Sequence, residues 1–307
     1  MISVLTGANS YALKRELRRV IDEFVKAHGD FALERLDGSE VTVERLGEAV
    51  QSLPFLAAKK LVVLDSPSSN KQFLEQFETL LVGAPEANDI LLVEPSLDKR
   101  TAYYKWLKKH TEFQEFTVLD ERGLAAWAVS YAKERGGNLK SADATYLVGR
   151  VGLNQQGLAH ELDKLLLAGN EIARSTIDEL TERSPQSTVF ELLDAAFAGN
   201  SQKALSLYAE QRAMKVEPQY IIAMLAWQLH ILAVVKTAGE RSTDMIASEA
   251  KISPYSVRKS VSIARSLSLA RLKQLVGDLT TLDAKSKRVA LDLDSALQTY
   301  ILSLSLR

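Results

Sequence analysis

The sequence predicts an α/β domain followed by all-α domains, and three observations carry that expectation. Short, partly β-branched apolar runs alternate with helical patterns in the first third, and strand signals fade after Asp120. At about 150 residues per domain, 307 residues make two domains, or three if one is a small helical module. With 46% hydrophobic and 25% charged residues, and 38 Lys plus Arg against 39 Asp plus Glu, the chain has an ordinary folded composition and a formal charge of −1. Wholesale disorder is excluded.

The first apolar run is Ile2 to Leu5, followed by a charged helix over Ser10 to His28. Leu61 to Leu64 and Ile90 to Val93 are four-residue runs bounded by Asp, Glu and Pro, as expected of buried strands covered by helices on both faces. Between them, Phe73, Leu74, Phe77, Leu80 and Leu81 fall on one stripe of a helix over Lys71 to Leu81. A helix over Ala102 to His110 and a half-buried strand over Phe113 to Val118 complete an α/β domain spanning residues 1–118. Helices are predicted at Glu121 to Arg135, Ser141 to Val151, Gln155 to Ala168 and Ser175 to Glu182, with Gly136-Gly137 and Gly169-Asn170 marking ends. This gives a small helical domain over 119–183 that ends at Ser184-Pro185. A larger helical domain over 184–307 offers helices at Thr188 to Ala198, Ser201 to Met214, Pro218 to Ala238 and Thr243 to Ala250, with longer pieces beyond. The most membrane-like stretch, Ile221 to Val235, is shorter than the roughly 20 residues a span needs and contains Gln228 and His230, so it reads as a buried helix.

Charge is distributed unevenly. Residues 1–119 carry 15 basic and 18 acidic side chains and 120–250 carry 13 and 17, whereas 251–307 carry 10 basic and only 4 acidic. The positive end suits an acidic partner or nucleic acid, or else a solvated helical face.

Several chemistries are excluded outright. With no cysteine, the chain has no thiol nucleophile, disulfide or thiolate metal site. The start, MISVLTGANSYALKREL, lacks the basic, apolar and small-residue zones of a signal peptide, so a cytoplasmic location is expected. A P-loop requires glycines whose N–H groups wrap phosphate, with Lys for charge and Ser or Thr for magnesium. The loop after the first strand is Gly7-Ala8-Asn9-Ser10-Tyr11, a degenerate version without that set. His160-Glu161 opens like HExxH, but Lys164 stands where the second histidine would bind metal, so no cofactor or metal is expected. Asp244 to Arg265 reads as a short helix, a turn at Ile252-Ser253-Pro254 and a basic second helix, with Tyr255, Arg258, Lys259 and Arg265 as candidate DNA contacts. Two helices packed at a corner produce the same pattern.

The degenerate loop, the phrase LPFLAAKKLVVL over 53–64 and the helical remainder together resemble the delta subunit of the bacterial DNA polymerase III clamp loader. Further markers follow in order: LAHELDKLL over 158–166 with its Glu-x-x-Lys-Leu core, VFELLDAAFAGNSQK over 189–203, Glu217-Pro218, Trp227-Gln228-Leu229, Ser253-Pro254-Tyr255 and Asp283-Ala284-Lys285. The resemblance implies a degenerate AAA+-like α/β domain without Walker A, a helical lid and a C-terminal helical collar for oligomerisation. It implies binding without intrinsic catalysis, inside a DNA polymerase holoenzyme whose nucleotidyltransferase activity belongs to the complex. The implied partners are the sliding clamp (beta), the gamma/tau and delta-prime subunits of a pentamer, and primer-template DNA. The family's clamp-contacting hydrophobic pair maps onto Phe55 and Leu56, with Leu53 as support and Lys59 and Lys60 as candidates for rim carboxylates. Without the resemblance, Phe55 and Leu56 read first as core caps beside a strand, since apolar residues there are commonly buried. Two other readings of the whole chain stay open: an autonomous nucleotide-dependent enzyme and a helical sequence-specific DNA-binding protein.

Overall fold

The computed structural model describes residues 1–55, 57–182 and 185–305, so the expected boundary at Ser184 lies outside the described residues. The chain divides into two compact units after Leu119.

The first unit alternates strand and helix: β1 (Ile2–Thr6), α1 (Ser10–His28), β2 (Leu33–Asp37), α2 (Val43–Gln51), β3 (Lys60–Asp65), α3 (Lys71–Val82), β4 (Asn88–Glu94), α4 (Ala102–His110) and β5 (Glu112–Glu115). The sheet order is β2-β3-β4-β1-β5, and every pair is parallel. Parallel pairing requires crossovers, and the helices supply them. Strand periodicity of two then sorts the apolar side chains between two layers. Val4, Val62, Leu64, Ile90 and Leu92 face α2, α3 and α4, where Leu46, Phe73 and Leu107 are buried. Leu5, Leu61, Val63, Leu91 and Val93 face α1 through Leu13, Leu17 and Phe24. Each long helix of this unit starts on a side-chain cap: Asn9 accepts from Ala12 N, Thr42 from Arg45 N, Asn70 from Phe73 N and Thr101 from Tyr104 N. Such caps contribute about 1 kcal/mol apiece.

The second unit opens with α5 (Glu121–Glu134), β6 (Asn138–Leu139), α6 (Ser141–Val151), α7 (Gln155–Ala168), β7 (Glu171–Ile172) and α8 (Arg174–Leu180). It continues with α9 (Pro185–Phe197), α10 (Ser201–Ala213), α11 (Pro218–Thr237), α12 (Thr243–Ala250), α13 (Pro254–Ser266), α14 (Leu269–Ser286) and α15 (Leu293–Leu304). One core joins the last seven helices. Ile221, Leu225, Leu229 and Leu232 of α11 lie at its centre against Val257, Leu275, Leu279, Leu297 and Ile301. By length and composition α11 is long and apolar enough to cross a membrane, and half of that stretch is buried in this core.

Four elements were not expected from the sequence. The strand β2 and the helix α2 were not assigned from periodicity, because LERLD carries three charged residues at a sheet edge and α2 is only nine residues long. After Asp120, β6 and β7 form a parallel pair of two residues each, too short to leave a period in the sequence.

Glu94, at the carboxyl end of β4, is buried. Its carboxylate accepts from Ser68 N (2.9 Å), Ser68 Oγ (2.7 Å) and the Tyr103 hydroxyl (3.2 Å). Burial raises its pKa above the usual carboxylate range, and those hydrogen bonds only partly oppose the rise. A carboxyl raised in the folded state binds its proton more tightly than in the unfolded chain. Its contribution is therefore favourable at low pH and declines as pH rises from the unfolded pKa through the folded one. The substitution Glu94→Gln is expected to gain stability relative to the wild type as pH rises from 4 to 8. Urea unfolding of the full chain, read through hydrogen exchange of the β3 and β4 amides, measures this; parallel pH profiles for the two proteins would contradict it.

Candidate functional site

Because β2, β3 and β4 run parallel, the segments that enter them converge on the amino edge of the sheet. The registers Leu33↔Leu61 and Lys60↔Asn88 bring three chain entrances side by side. The segment between α2 and β3 leaves the core at Ser52 and returns at Ala57, which packs on the α1 face of the sheet. At its crest, Leu53 is 71% exposed and Phe55 is 83% exposed. Large apolar side chains this open on a short connection are costly to hydrate, which makes the crest a candidate contact surface. Phe55 is not a cap on the core. Leu56 lies outside the described residues.

The crest is held from below by side chains of two strands. Asn88, buried at the start of β4, donates its amide to Val50 O (2.8 Å) and Ser52 O (2.9 Å), both carbonyls at the end of α2. Two acceptor carbonyls dictate which way that amide points, and its Oδ1 is left buried without a partner. Lys60 donates to Ala49 O (3.0 Å) and Ser52 Oγ (2.7 Å) and pairs with Glu34 (2.6 Å), which also pairs with Arg45. Helix ends leave carbonyls without partners, and here three of them receive charged or amide donors. Lys60 is thus spent inside the fold, while Lys59 reaches Asp89 (3.2 Å) from a half-open position. Beside the crest lies a cleft of about 380 Å³ lined by Phe31, Leu33, Glu34, Leu53, Phe55 and Lys60, among others.

At the opposite, carboxyl edge, the chain folds onto its own degenerate loop. Gly7 has φ +118°, and a Cβ there would collide with the Phe116 carbonyl. Asn9 N donates to Phe116 O (3.0 Å), and its side chain donates to Thr117 O (3.1 Å) while capping α1. Asn9 of the degenerate loop is thus bonded to the segment after β5, and Ser10 and Tyr11 continue into α1.

In the second unit, α12 and α13 meet at a corner turned by Lys251 (φ +55°) and packed by Ile246, Ile252 and Val257. Arg258 and Arg265, seven residues apart, share one exposed stripe of α13. Arg258 sits 3.8 Å from Asp244, and Arg265 lines a cleft of about 240 Å³ with Lys236, Arg241 and Thr243. Lys259 turns instead towards Tyr255, at 5.7 Å from the ring centroid, and Tyr255 is half-buried edge-on to Phe190. The His160-Glu161 fragment is helix surface: Lys164 pairs with Glu161 (2.7 Å), and Asp163 accepts from the Tyr131 hydroxyl (3.0 Å).

Sequence reasoning found Leu53 and Phe55 but missed Phe31, Asn88 and Glu34. Phe31 lies in a single 3₁₀ turn before a charged edge strand, and only the Phe-Ala-Leu run over 31–33 hinted at it. Asn88 carries no signature, because its role follows from the β3–β4 register.

These features define a class: a parallel α/β unit with exposed apolar side chains at its amino edge, followed in the chain by a helical unit. The DNA polymerase III delta subunit model matches residues 4–117, and the model of that subunit's C-terminal domain matches residues 186–304. The chain belongs to the DNA polymerase III delta subunit family. It is 24% identical over 320 residues to DNA polymerase III subunit delta of Bacillus subtilis (strain 168), covering 98% of this chain and 91% of that one. The solved DNA clamp loader delta protein of Bacillus subtilis shares its fold, with a TM-score of 0.81 and 23% identity over 100% of this chain and 95% of that one.

The hold on the crest is testable without any partner. Asn88→Ala strips donors from two carbonyls and is expected to destabilise the chain by about 1 to 3 kcal/mol. Asn88→Asp, which sets a carboxylate against them, should cost more. In both variants the Leu53 and Phe55 amides should exchange faster than the neighbouring β3 amides; equal acceleration throughout would show that Asn88 does not hold the crest in particular.

Proposed function

We propose that this chain binds the ring-shaped sliding clamp through Leu53, Phe55 and Leu56 and helps hold one clamp interface open for loading on primed DNA. The observation that carries the reading is the exposed crest, an apolar pair held on a braced loop where the family places its clamp contact. Burying such side chains in an apolar pocket contributes roughly 1.5 to 3 kcal/mol each before ordering costs. Asn88 and Lys60 already fix the chain up to Ser52, just before the crest, so less freedom is lost there on binding. Opening then needs only a difference in affinity between closed and weakened ring geometries, a coupling of a few kcal/mol.

In this reading the chain has three parts: residues 1–118 for clamp contact, 119–183 as a lid, and 184–307 as a collar. The collar joins the gamma/tau and delta-prime subunits in a pentamer, the motor subunits hydrolyse ATP, and the assembly works in the cytoplasm as part of the polymerase holoenzyme. An apolar groove of about 590 Å³ between α11 and α14, lined by Ile222, Leu229, Val276 and Leu279, supports a subunit contact there. Trp227, exposed and stacked on His230 of that groove, extends the apolar surface. Arg258 and Arg265 are the side chains best placed to meet primer-template phosphates, with Lys259 secondary, and such contacts weaken with salt.

Titration of the purified chain with its own organism's sliding clamp tests the reading. The double substitution Phe55→Ala with Leu56→Ala should weaken binding by roughly 100-fold or more, since paired apolar anchors dominate such interfaces. Circular dichroism and subunit assembly should stay as in the wild type. A clamp affinity that survives the double substitution would sink the assignment.

A further inference from the structure

The crest of Leu53 and Phe55 is one side of a cleft, and the other side comes from a different segment. Phe31 lies in the 3₁₀ turn Asp30–Ala32, two residues before β2, and is 63% exposed. It lines the same cleft of about 380 Å³ as Leu53, Pro54 and Phe55, with Ala32 and Leu33 below. Since β2 and β3 are adjacent and parallel, the segments leading into them must lie next to each other at the amino edge. The juxtaposition is therefore a consequence of sheet order.

Phe31 is also placed rather than loose. Gly29 has φ +87°, a conformation that favours glycine, and a Cβ there would overlap the Phe31 ring. The ring lies across the bare glycine backbone, between the end of α1 and the cleft. At the far side of the cleft Glu34 and Lys60 neutralise one another at 2.6 Å, so no unpaired charge of this pair opposes an apolar occupant. Three exposed apolar side chains, Phe31, Leu53 and Phe55, thus border one recess.

We infer that Phe31 is a third anchor of the clamp-contact surface, and that the cleft between Phe31 and Phe55 receives an apolar side chain from the clamp. The inference rests on the clamp-binding reading above and deepens it: contact is reciprocal, with Phe55 entering the partner and the partner entering the cleft. Continuity decides the occupant, because Leu53 and Phe55 cannot be covered by a partner surface without that surface also meeting the recess they line. Reciprocal insertion makes the orientation of the clamp specific, since a pocket that accepted Phe55 alone would leave rotation about that side chain free.

The test is a binding titration of the full chain against its own sliding clamp, with Phe31→Ala, Phe31→Leu, Phe55→Ala and the Phe31→Ala, Phe55→Ala pair. Phe31→Ala is expected to weaken binding at least tenfold, Phe31→Leu to restore part of that, and the pair to lose less than the product of the single losses, as for residues contacting one partner region. Thermal unfolding should be unchanged by either Phe31 substitution. If Phe55→Ala loses affinity while Phe31→Ala stays within twofold of wild type, the third anchor is refuted and clamp binding stands. If neither substitution changes the affinity, both the anchor and the clamp-binding reading it rests on are refuted.

Discussion

The parallel pairing of β2, β3 and β4 is the constraint on which the rest of the first unit depends. Parallel strands send every incoming segment to one edge and every outgoing segment to the other. The amino edge therefore collects Phe31, the crest at Leu53 and Phe55, and the bracing pair Asn88 and Lys60. Register supplies the finer detail. Lys60 pairs with Asn88 across β3 and β4, which places two long donors directly beneath the end of α2. Had either strand slipped by one residue, its own donor would point to the other face of the sheet and the pair would be broken.

The carboxyl edge shows the reverse use of the same geometry. It is the edge where parallel sheets commonly bind ligands, yet here it is closed by local contacts. Gly7 lies against the Phe116 carbonyl, Asn9 bonds to Phe116 and Thr117, and Glu94 bridges Ser68 and Tyr103. These bonds stiffen the end of the sheet away from the crest. The unit thus has its carboxyl edge engaged by local hydrogen bonds and exposes Phe31, Leu53 and Phe55 at its amino edge.

Much of this was legible in the sequence. Buried strands announced themselves as apolar runs of β-branched residues, and helices as stripes such as Phe73, Phe77 and Leu81. The two elements around the site were harder to read. In β2 only Leu33 and Leu36 are apolar, because an edge strand needs charged side chains to discourage pairing with other chains. The Leu53 to Leu56 phrase was readable as apolar, but periodicity has no means of separating a core cap from an exposed crest. That distinction depends on Asn88 and Lys60, 33 and 5 residues after Phe55 respectively, reaching the same helix end. Long-range hydrogen bonds of this kind leave no local pattern, and neither does the cleft that makes Phe31 a neighbour of Phe55.

The charge excess of residues 251–307 illustrates a related limit. Read along the chain, it suggests a positive face, and in the folded chain part of it is engaged by neighbouring groups. Lys287 pairs with Asp283 at 2.7 Å, Arg271 donates to Ser303 O, and Arg258 approaches Asp244. The segment's acids are engaged as well, since Asp294 is claimed by Arg212 and Tyr208 of α10 and stays ionised well into the acid range because of them. Exposed pairs of this sort are worth little and are screened within about 10 Å at ordinary salt. Pairing inside the fold leaves the segment's excess of base over acid unchanged, and Lys251, Lys273, Lys285 and Arg288 are exposed in addition to the stripe on α13. Under the clamp-binding proposal the two surfaces differ in their response to salt: contacts of the basic segment with phosphate weaken as ionic strength rises, whereas burial of Leu53 and Phe55 draws on surface removed from water and does not.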